Sequence, residues 1–262
     1  MAGPAHLTTP AAALADRLPG WATLVRADNP GPMTLDGTNT WVLRAAPGEP
    51  AVVIDPGPLD HDHLRAVAAH GPVGTVLVTH GHPDHVEGLV EFAALTGAEA
   101  RAGTDAVDLH GLSLTTLATP GHTADSVCFE VVAAGERAIF TGDTILGRGT
   151  TVVAWPDGDL GDYLDSLERL SAYRGVPALP GHGPALADCA AAARGYLAHR
   201  RARLDQVRAV VAAGATTPVE VVERVYAEVG PGLRAAAELS VRAQLDFLGR
   251  ESGDARHGLD RP

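Results

Sequence analysis

Thr79-His80-Gly81-His82-Pro83-Asp84-His85-Val86-Glu87-Gly88 packs three imidazoles and a carboxylate into six consecutive residues, directly after the apolar run Val76-Leu77-Val78. Such a run reads as a buried strand, and its C-terminal end delivers the following loop to the edge of a sheet. A His-x-His-x-Asp-His loop is too dense in metal-ligand types to be ordinary loop chemistry. Nitrogen and carboxylate donors suit zinc, and four of them in one turn can serve two ions.

Three further segments place a donor in the same strand-to-loop setting. They are Thr119-Pro120-Gly121-His122-Thr123, Thr141-Gly142-Asp143-Thr144 and Leu179-Pro180-Gly181-His182-Gly183. In each, a small or rigid residue precedes the donor, so the backbone can turn sharply and point the side chain outward. Two ions ~3.5–4 Å apart need about three protein ligands each plus something shared. His80, His82 and His122 can hold one ion, Asp84, His85 and His182 the other, with Asp143 as the bridge. Coordination lowers the pKa of water from about 15.7 to about 7, so a bridging hydroxide becomes a nucleophile at neutral pH. A lone loop histidine is usually just a polar surface residue. His6, His61, His63, His70, His110, His199 and His257 have no such context and read as surface or helix residues.

The composition bounds the rest. A chain of 262 residues, 45% apolar, has room for one large domain or one domain and a small appendage. Its net charge is −12 and every one of its 20 basic residues is arginine. An acidic surface does not attract nucleic acid over its whole extent, so any polyanion must be held locally. Cys128 and Cys189 follow no Cys-x-x-Cys spacing and read as buried, reduced thiols. No basic start precedes an apolar stretch at the N-terminus, and no run approaches the roughly 18 apolar residues of a membrane span. A cytoplasmic protein with no membrane partner is the expectation.

Short strand-like runs fill the chain to about residue 180, at 22–26, 40–45, 51–55, 75–79, 112–119, 126–132 and 138–141. Amphipathic helices are predicted between them at 60–70, 85–95 and 160–173. In the last, Leu160, Tyr163, Leu164, Leu167 and Leu170 fall at helical spacing. Helices among many strands argue for sheets covered by helices. Beyond residue 185 the pattern is helical only. A long helix at 186–213 is followed by Thr217-Pro218-Val219-Glu220, a capping box with proline in the first turn, and by a helix at 233–248. The expected division is therefore 1–185 and 186–262, the polar tail from 251 onward being frayed.

The ligand pattern resembles the metallo-β-lactamase superfamily, whose hallmark His-x-His-x-Asp-His is followed by a distant His, Asp and His, as here. The resemblance covers essentially residues 20–185. It implies a four-layer αββα sandwich with the site at one edge of the two sheets. It also implies two Zn²⁺ per chain, iron or manganese serving in some members. Asp143 stands where many true β-lactamases carry cysteine, which disfavours antibiotic hydrolysis. A narrower likeness rests on the segment from Asn29-Pro30-Gly31 to Gly37-Thr38-Asn39-Thr40, on Val53-Ile54-Asp55-Pro56-Gly57, and on Gly147-Arg148-Gly149-Thr150-Thr151. It points to the branch named for the animal β-lactamase-like protein 2, whose members carry a small winged-helix-like C-terminal domain. The animal protein is an endoribonuclease selective for single strands, and Tyr196, His199, Arg200 and Gln206 match the branch as well. Dimers are common among such relatives, so a homodimer is a further expectation.

Several accessory residues have two readings each. Thr38 and Asn39 either offer polar groups to substrate or simply lead into a strand. Arg148 either holds an anionic substrate or belongs to a structural turn. Asp55 either holds a ligand histidine or caps its own loop. The run His199-Arg200-Arg201-Arg203 reads more naturally as a solvated helix face than as a phosphate site. With Asp84 and Asp143 as the catalytic carboxylates, the leading expectation is a binuclear zinc hydrolase of phosphodiesters, single-stranded RNA above all. The alternative is a thioester or lactone hydrolase like glyoxalase II, using the same seven ligands on a small-molecule substrate. Those thioesterases grip their thiol carrier with basic C-terminal residues, often lysine, and this chain has no lysine. A binding module with purely structural metals is the third reading. Seven ligands with open coordination argue against it.

Overall fold

A computed structural model describes residues 18–101 and 106–252. The first sheet has the order β1-β2-β3-β4-β5, from Ala22–Arg26, Asn39–Leu43, Ala51–Ile54, Val73–Leu77 and Glu99–Arg101. Its first three strands pair antiparallel and its last three parallel. The second sheet has the order β10-β9-β8-β7-β6. Its strands are Val107–Leu109 (β6), Leu112–Ala118 (β7), Val127–Ala133 (β8), Glu136–Gly142 (β9) and Ala178–Pro180 (β10). Only the β9–β10 pair is parallel.

Strand alternation builds the layers, because successive side chains point to opposite faces. In β2 and β3, Trp41, Leu43, Val52 and Ile54 turn inward to meet Phe129, Val131 and Phe140 of the second sheet. Trp41 and Phe140 stand edge to face, 5.7 Å apart. The intervening Val42, Ala51 and Val53 turn outward under Leu64, Val67 and Phe92. Those residues belong to α1 (His61–Ala68) and α3 (Leu89–Thr96). On the far side Cys128 and Ile139 pack under α4 (Leu160–Leu170) and α5 (Cys189–Ala212). The result is the expected αββα sandwich.

The C-terminal region is helical, as the pattern predicts. Past Leu204, Val207 of α5 joins Val221, Val222 and Val225 of α6 (Pro218–Val225) and Val241 of α7 (Arg234–Ser252) in a separate apolar cluster. The predicted capping box is present, with Thr217 and Glu220 bonded reciprocally. Helix α5 spans both bodies, since Cys189, Ala193, Tyr196 and Leu197 lie in the sandwich core. No helix of the described residues is long and apolar enough to cross a membrane.

One predicted helix breaks in two. The pattern at 85–95 becomes α2 (Pro83–Val86) and α3, separated at Glu87-Gly88. The amide of Gly88 bonds to the carbonyl of Gly57 rather than continuing the helical ladder, at 3.0 Å. A Cβ at Gly88 would lie 2.8 Å from Leu64 Cδ2 and 2.9 Å from Pro58 O, so only glycine permits that approach. Strands β5, β6 and β10 are three residues each, too short to show a period. The N-terminal expectation, His6, His257 and the tail beyond Ser252 lie outside the described residues.

Candidate metal centre

Four loops at one edge of the sandwich bring the seven predicted donors together. His80 and His82 follow β4, and Asp84 and His85 project from the single turn of α2, which Pro83 starts. His122 lies beyond β7, Asp143 directly after β9 and His182 one residue beyond the end of β10, after Gly181. Main-chain bonds tie the sheets here, from Val127 N to Thr79 O at 2.8 Å and from Asn39 N to Gly181 O at 2.7 Å. The glycines before the histidines are needed for space. A Cβ at Gly181 would stand 2.6 Å from His85 Cε1 and 2.7 Å from Asp143 Oδ1. At Gly121, where φ is +136°, it would strike the Tyr163 backbone.

The donors form two groups. In one, His82 Nδ1 lies 3.0 Å from both His80 Nε2 and His122 Nε2. In the other, His182 Nε2 lies 3.2 Å from His85 Nε2 and from Asp84 Oδ2. Asp143 faces both. Its Oδ1 is 3.4 Å from His182 Nε2 and 3.5 Å from His85 Nε2, while its Oδ2 is 3.8 Å from His122 Nε2. The first three histidines with Asp143, and the second trio, are each arranged to hold a metal ion.

The chemistry of this donor set fits metal. Lone pairs at 3.0 Å repel unless a proton or cation lies among them. Asp143 Oδ1 is buried with no hydrogen-bond donor, an expensive state for a carboxylate unless a cation meets it. Burial, and then the His85 imidazole, push the His80 pKa down to about 2, so its ring is neutral and able to coordinate. Burial likewise depresses His122. In the metal-free protein burial would also depress His85 and His182, but the facing Asp143 carboxylate outweighs it. His85 is held well above its ordinary value and His182 at about 9.

Hydrogen bonds behind the rings select the coordinating nitrogen. His122 Nδ1 meets Val152 O at 2.5 Å and Thr151 Oγ1 at 3.2 Å, and His182 Nδ1 meets Gly37 O at 3.3 Å. His85 Nδ1 meets Asp55 Oδ2 at 2.8 Å. His80 Nδ1 meets Thr79 Oγ1 at 3.0 Å, and that hydroxyl in turn donates to Asp55 Oδ2 at 2.8 Å. In all four rings Nε2 is left to face the centre. Asp55 therefore holds one histidine directly and another through Thr79. It also accepts from Thr79 N at 2.7 Å, so it caps the loop that carries His80 rather than its own.

The three residues expected at the substrate all have partners within the protein, and Asn39 opens strand β2. Thr38 and Asn39 are fully buried and committed to the protein's own groups. Thr38 Oγ1 donates to Asp84 Oδ2 at 3.0 Å, while Asn29 Nδ2 donates to Thr38 Oγ1. Asn39 Nδ2 donates to Pro180 O and Gly183 O, both at 2.9 Å, and so pins the loop of His182. Both side chains are thus bonded to a donor, Asp84, or to the loop that carries one. Arg148 stays exposed but is paired in bidentate fashion with Asp36.

His63 lies in helix α1, as expected of it, though on the buried face, and one arginine expectation changes. His63 is buried, 2.9 Å from Thr40 Oγ1, and lies under Gly57. Its spacing of four from Val67, on the apolar face of α1, was the available signal. Arg200 is buried too, whereas Arg201 pairs with Glu168 and Arg203 with Glu228. The solvated-face reading fails for Arg200 because α5 packs on the sandwich there.

The sequence profile described as the metallo-beta-lactamase superfamily matches residues 33–105 and 99–182, which takes in all seven donors. The chain belongs to that superfamily. A β-lactamase-like protein 2 homolog of Caenorhabditis elegans is 31% identical over 89% of this chain and 85% of its own length. An atrochrysone carboxyl ACP thioesterase of Aspergillus chevalieri is 35% identical over 78% of this chain and 73% of its own. Among solved structures, a β-lactamase domain protein from Burkholderia ambifaria superposes with a TM-score of 0.75 at 22% identity, covering 91% of each chain, a likeness of fold. This member of the metallo-beta-lactamase superfamily is a hydrolytic enzyme, with a His/Asp cluster arranged for metal.

Proposed function

We propose that the protein is a cytoplasmic hydrolase carrying two divalent ions, zinc foremost, that cleaves acyl thioesters or related esters of small molecules. The observation that carries it is Asp143 standing between two groups of donors, one carboxylate oxygen toward each. His80, His82 and His122 would hold one ion and Asp84, His85 and His182 the other. Ions bound there supply a water of lowered pKa and a positive charge facing developing oxyanions. The residues do the positioning: Thr38 fixes the Asp84 carboxylate, Asp55 fixes His85, and Gly37 fixes His182.

The substrate reading moves away from RNA because the arginines that could grip phosphate are engaged. Arg200, Arg201, Arg203 and Arg148 each bond to a carboxylate or carbonyl of the protein itself. With a net charge of −12, the surface opposes a long polyanion. The named thioesterase relative supports an acyl substrate. Phosphodiester cleavage is the second reading, favoured by a donor set suited to two neighbouring ions, which would serve both the attacking and the leaving oxygen.

Zinc-loaded protein assayed against acyl N-acetylcysteamine thioesters, S-lactoylglutathione, a lactone panel, bis-p-nitrophenyl phosphate and single-stranded RNA separates the two. Thioester turnover abolished by Asp84→Ala is the expected result. Turnover confined to the two phosphodiesters would overturn the acyl reading.

A further inference from the structure

We infer that Arg200, in the C-terminal helix α5, is a positioning residue of the metal site, holding the loop that runs from Asp143 to Val152 and through it the ring of His122. The inference rests on the proposed reading that the seven donors bind metal.

Three side chains clamp that loop from behind. Tyr163 of α4 donates its hydroxyl to Thr144 O at 2.7 Å. The Tyr196 hydroxyl accepts from Leu146 N at 3.0 Å. One turn further along α5, Arg200 Nη2 donates to Thr151 O. Thr151 and Val152 are the residues that bond His122 Nδ1 and fix which ring nitrogen faces the donors. The path from Arg200 to the ligand is therefore two contacts long.

Arg200 is an expensive way to fill this space. It is 3% exposed, forms no ion pair with a carboxylate among the described residues, and its Nε has no partner. An apolar side chain would carry no such burial penalty. The guanidinium does what an apolar group cannot. It lies 5.2 Å over the Tyr163 ring while its edge holds a carbonyl, joining two of the clamps into one unit. A basic residue in α5 thus serves the centre from within, and no phosphate contact is needed to explain it.

The test compares wild type, Arg200→Met, Arg200→Lys and Val241→Ala. Val241 lies in the α6–α7 cluster, away from the loop, so its truncation lowers stability without removing any contact to the loop. Zinc affinity is read by competition with a chromophoric chelator, and ligand geometry by the visible spectrum of the cobalt-substituted protein. Arg200→Met should weaken ion binding about tenfold and shift the cobalt bands, with kcat falling more than KM. Arg200→Lys, which keeps the charge and loses the planar fork, should move the same way by less, and it serves if the methionine variant does not fold. Val241→Ala should lower Tm with affinity and spectrum unchanged.

Wild-type affinity and spectrum in both Arg200 variants would overturn the inference. An equal loss in Val241→Ala would overturn it too, by making the effect one of general destabilisation. A wild-type protein that binds neither zinc nor cobalt would sink the metal-centre reading itself, and this inference with it.

Discussion

Asp55 Oδ2 lies 2.8 Å from His85 Nδ1, and both side chains are buried. The same oxygen accepts from Thr79 Oγ1, so a single carboxylate orients a histidine in each donor group. At φ +54° the backbone of Asp55 sits in the left-handed region, which aspartate and asparagine tolerate better than most residues. Asp55→Asn keeps that conformation and removes one acceptor. The expected loss is about 1–3 kcal/mol in denaturant unfolding, with metal affinity down about 10–100-fold. Wild-type metal affinity in this variant would show that the contact is only a loop cap.

Thr38 acts on the other carboxylate. Thr38→Val removes the donor that holds Asp84 Oδ2 while nearly preserving shape. Stability should fall by about 1 kcal/mol. A misplaced Asp84 should lower kcat about ten- to a hundredfold, and Thr38→Ser should restore most of it. Equal kcat in the valine and serine variants would remove Thr38 from the positioning machinery.

Gly181 tests the space inside the centre. Gly181→Ala drives a methyl against His85 Cε1 and Asp143 Oδ1, at 2.6 and 2.7 Å. Overpacking of this kind costs about 1–3 kcal/mol. The variant should retain fewer ions than wild type in elemental analysis after gel filtration. Full retention would mean that the loop shifts to make room.

His63 gives a pH dependence separate from the ligands. Burial lowers its folded pKa below the ordinary 6.5, while Asp60 and a main-chain bond at Pro56 oppose the shift only in part. The unfolded chain therefore takes up a proton on His63 at higher pH than the native state does. The native state is favoured above about pH 6.5, and that advantage is lost as pH falls through the folded value. His63→Gln, followed by Tm between pH 8 and 5, should show a shallower acid decline than wild type. Parallel curves would show that His63 titrates alike in both states.

The donors were legible because chemistry concentrates them. His80 to His85 form one dense run, and His122, Asp143 and His182 each follow a strand and a glycine. The sandwich was legible from helices spaced among many strands and from the ligand pattern's resemblance, whereas the opposite facing of Val52 and Ile54 against Ala51 and Val53 was not, because all four are apolar. What supports the donors was not legible either. Thr38 and Asp84 are 46 residues apart, as the sequence runs, and Arg200 and Thr151 are 49 apart. No local period reports such pairs. The break at Gly88 was hidden for the same reason, since Gly57, which takes its amide, belongs to another loop.

The number and placement of bound ions test the central claim most directly. Elemental analysis of zinc-loaded protein, with an anomalous difference map from its crystals, should find two ions per chain. One peak should lie among His80, His82 and His122, the other among Asp84, His85 and His182, with Asp143 between them. A fully loaded protein with one ion or none, or hydrolysis that survives complete chelation, would contradict the account.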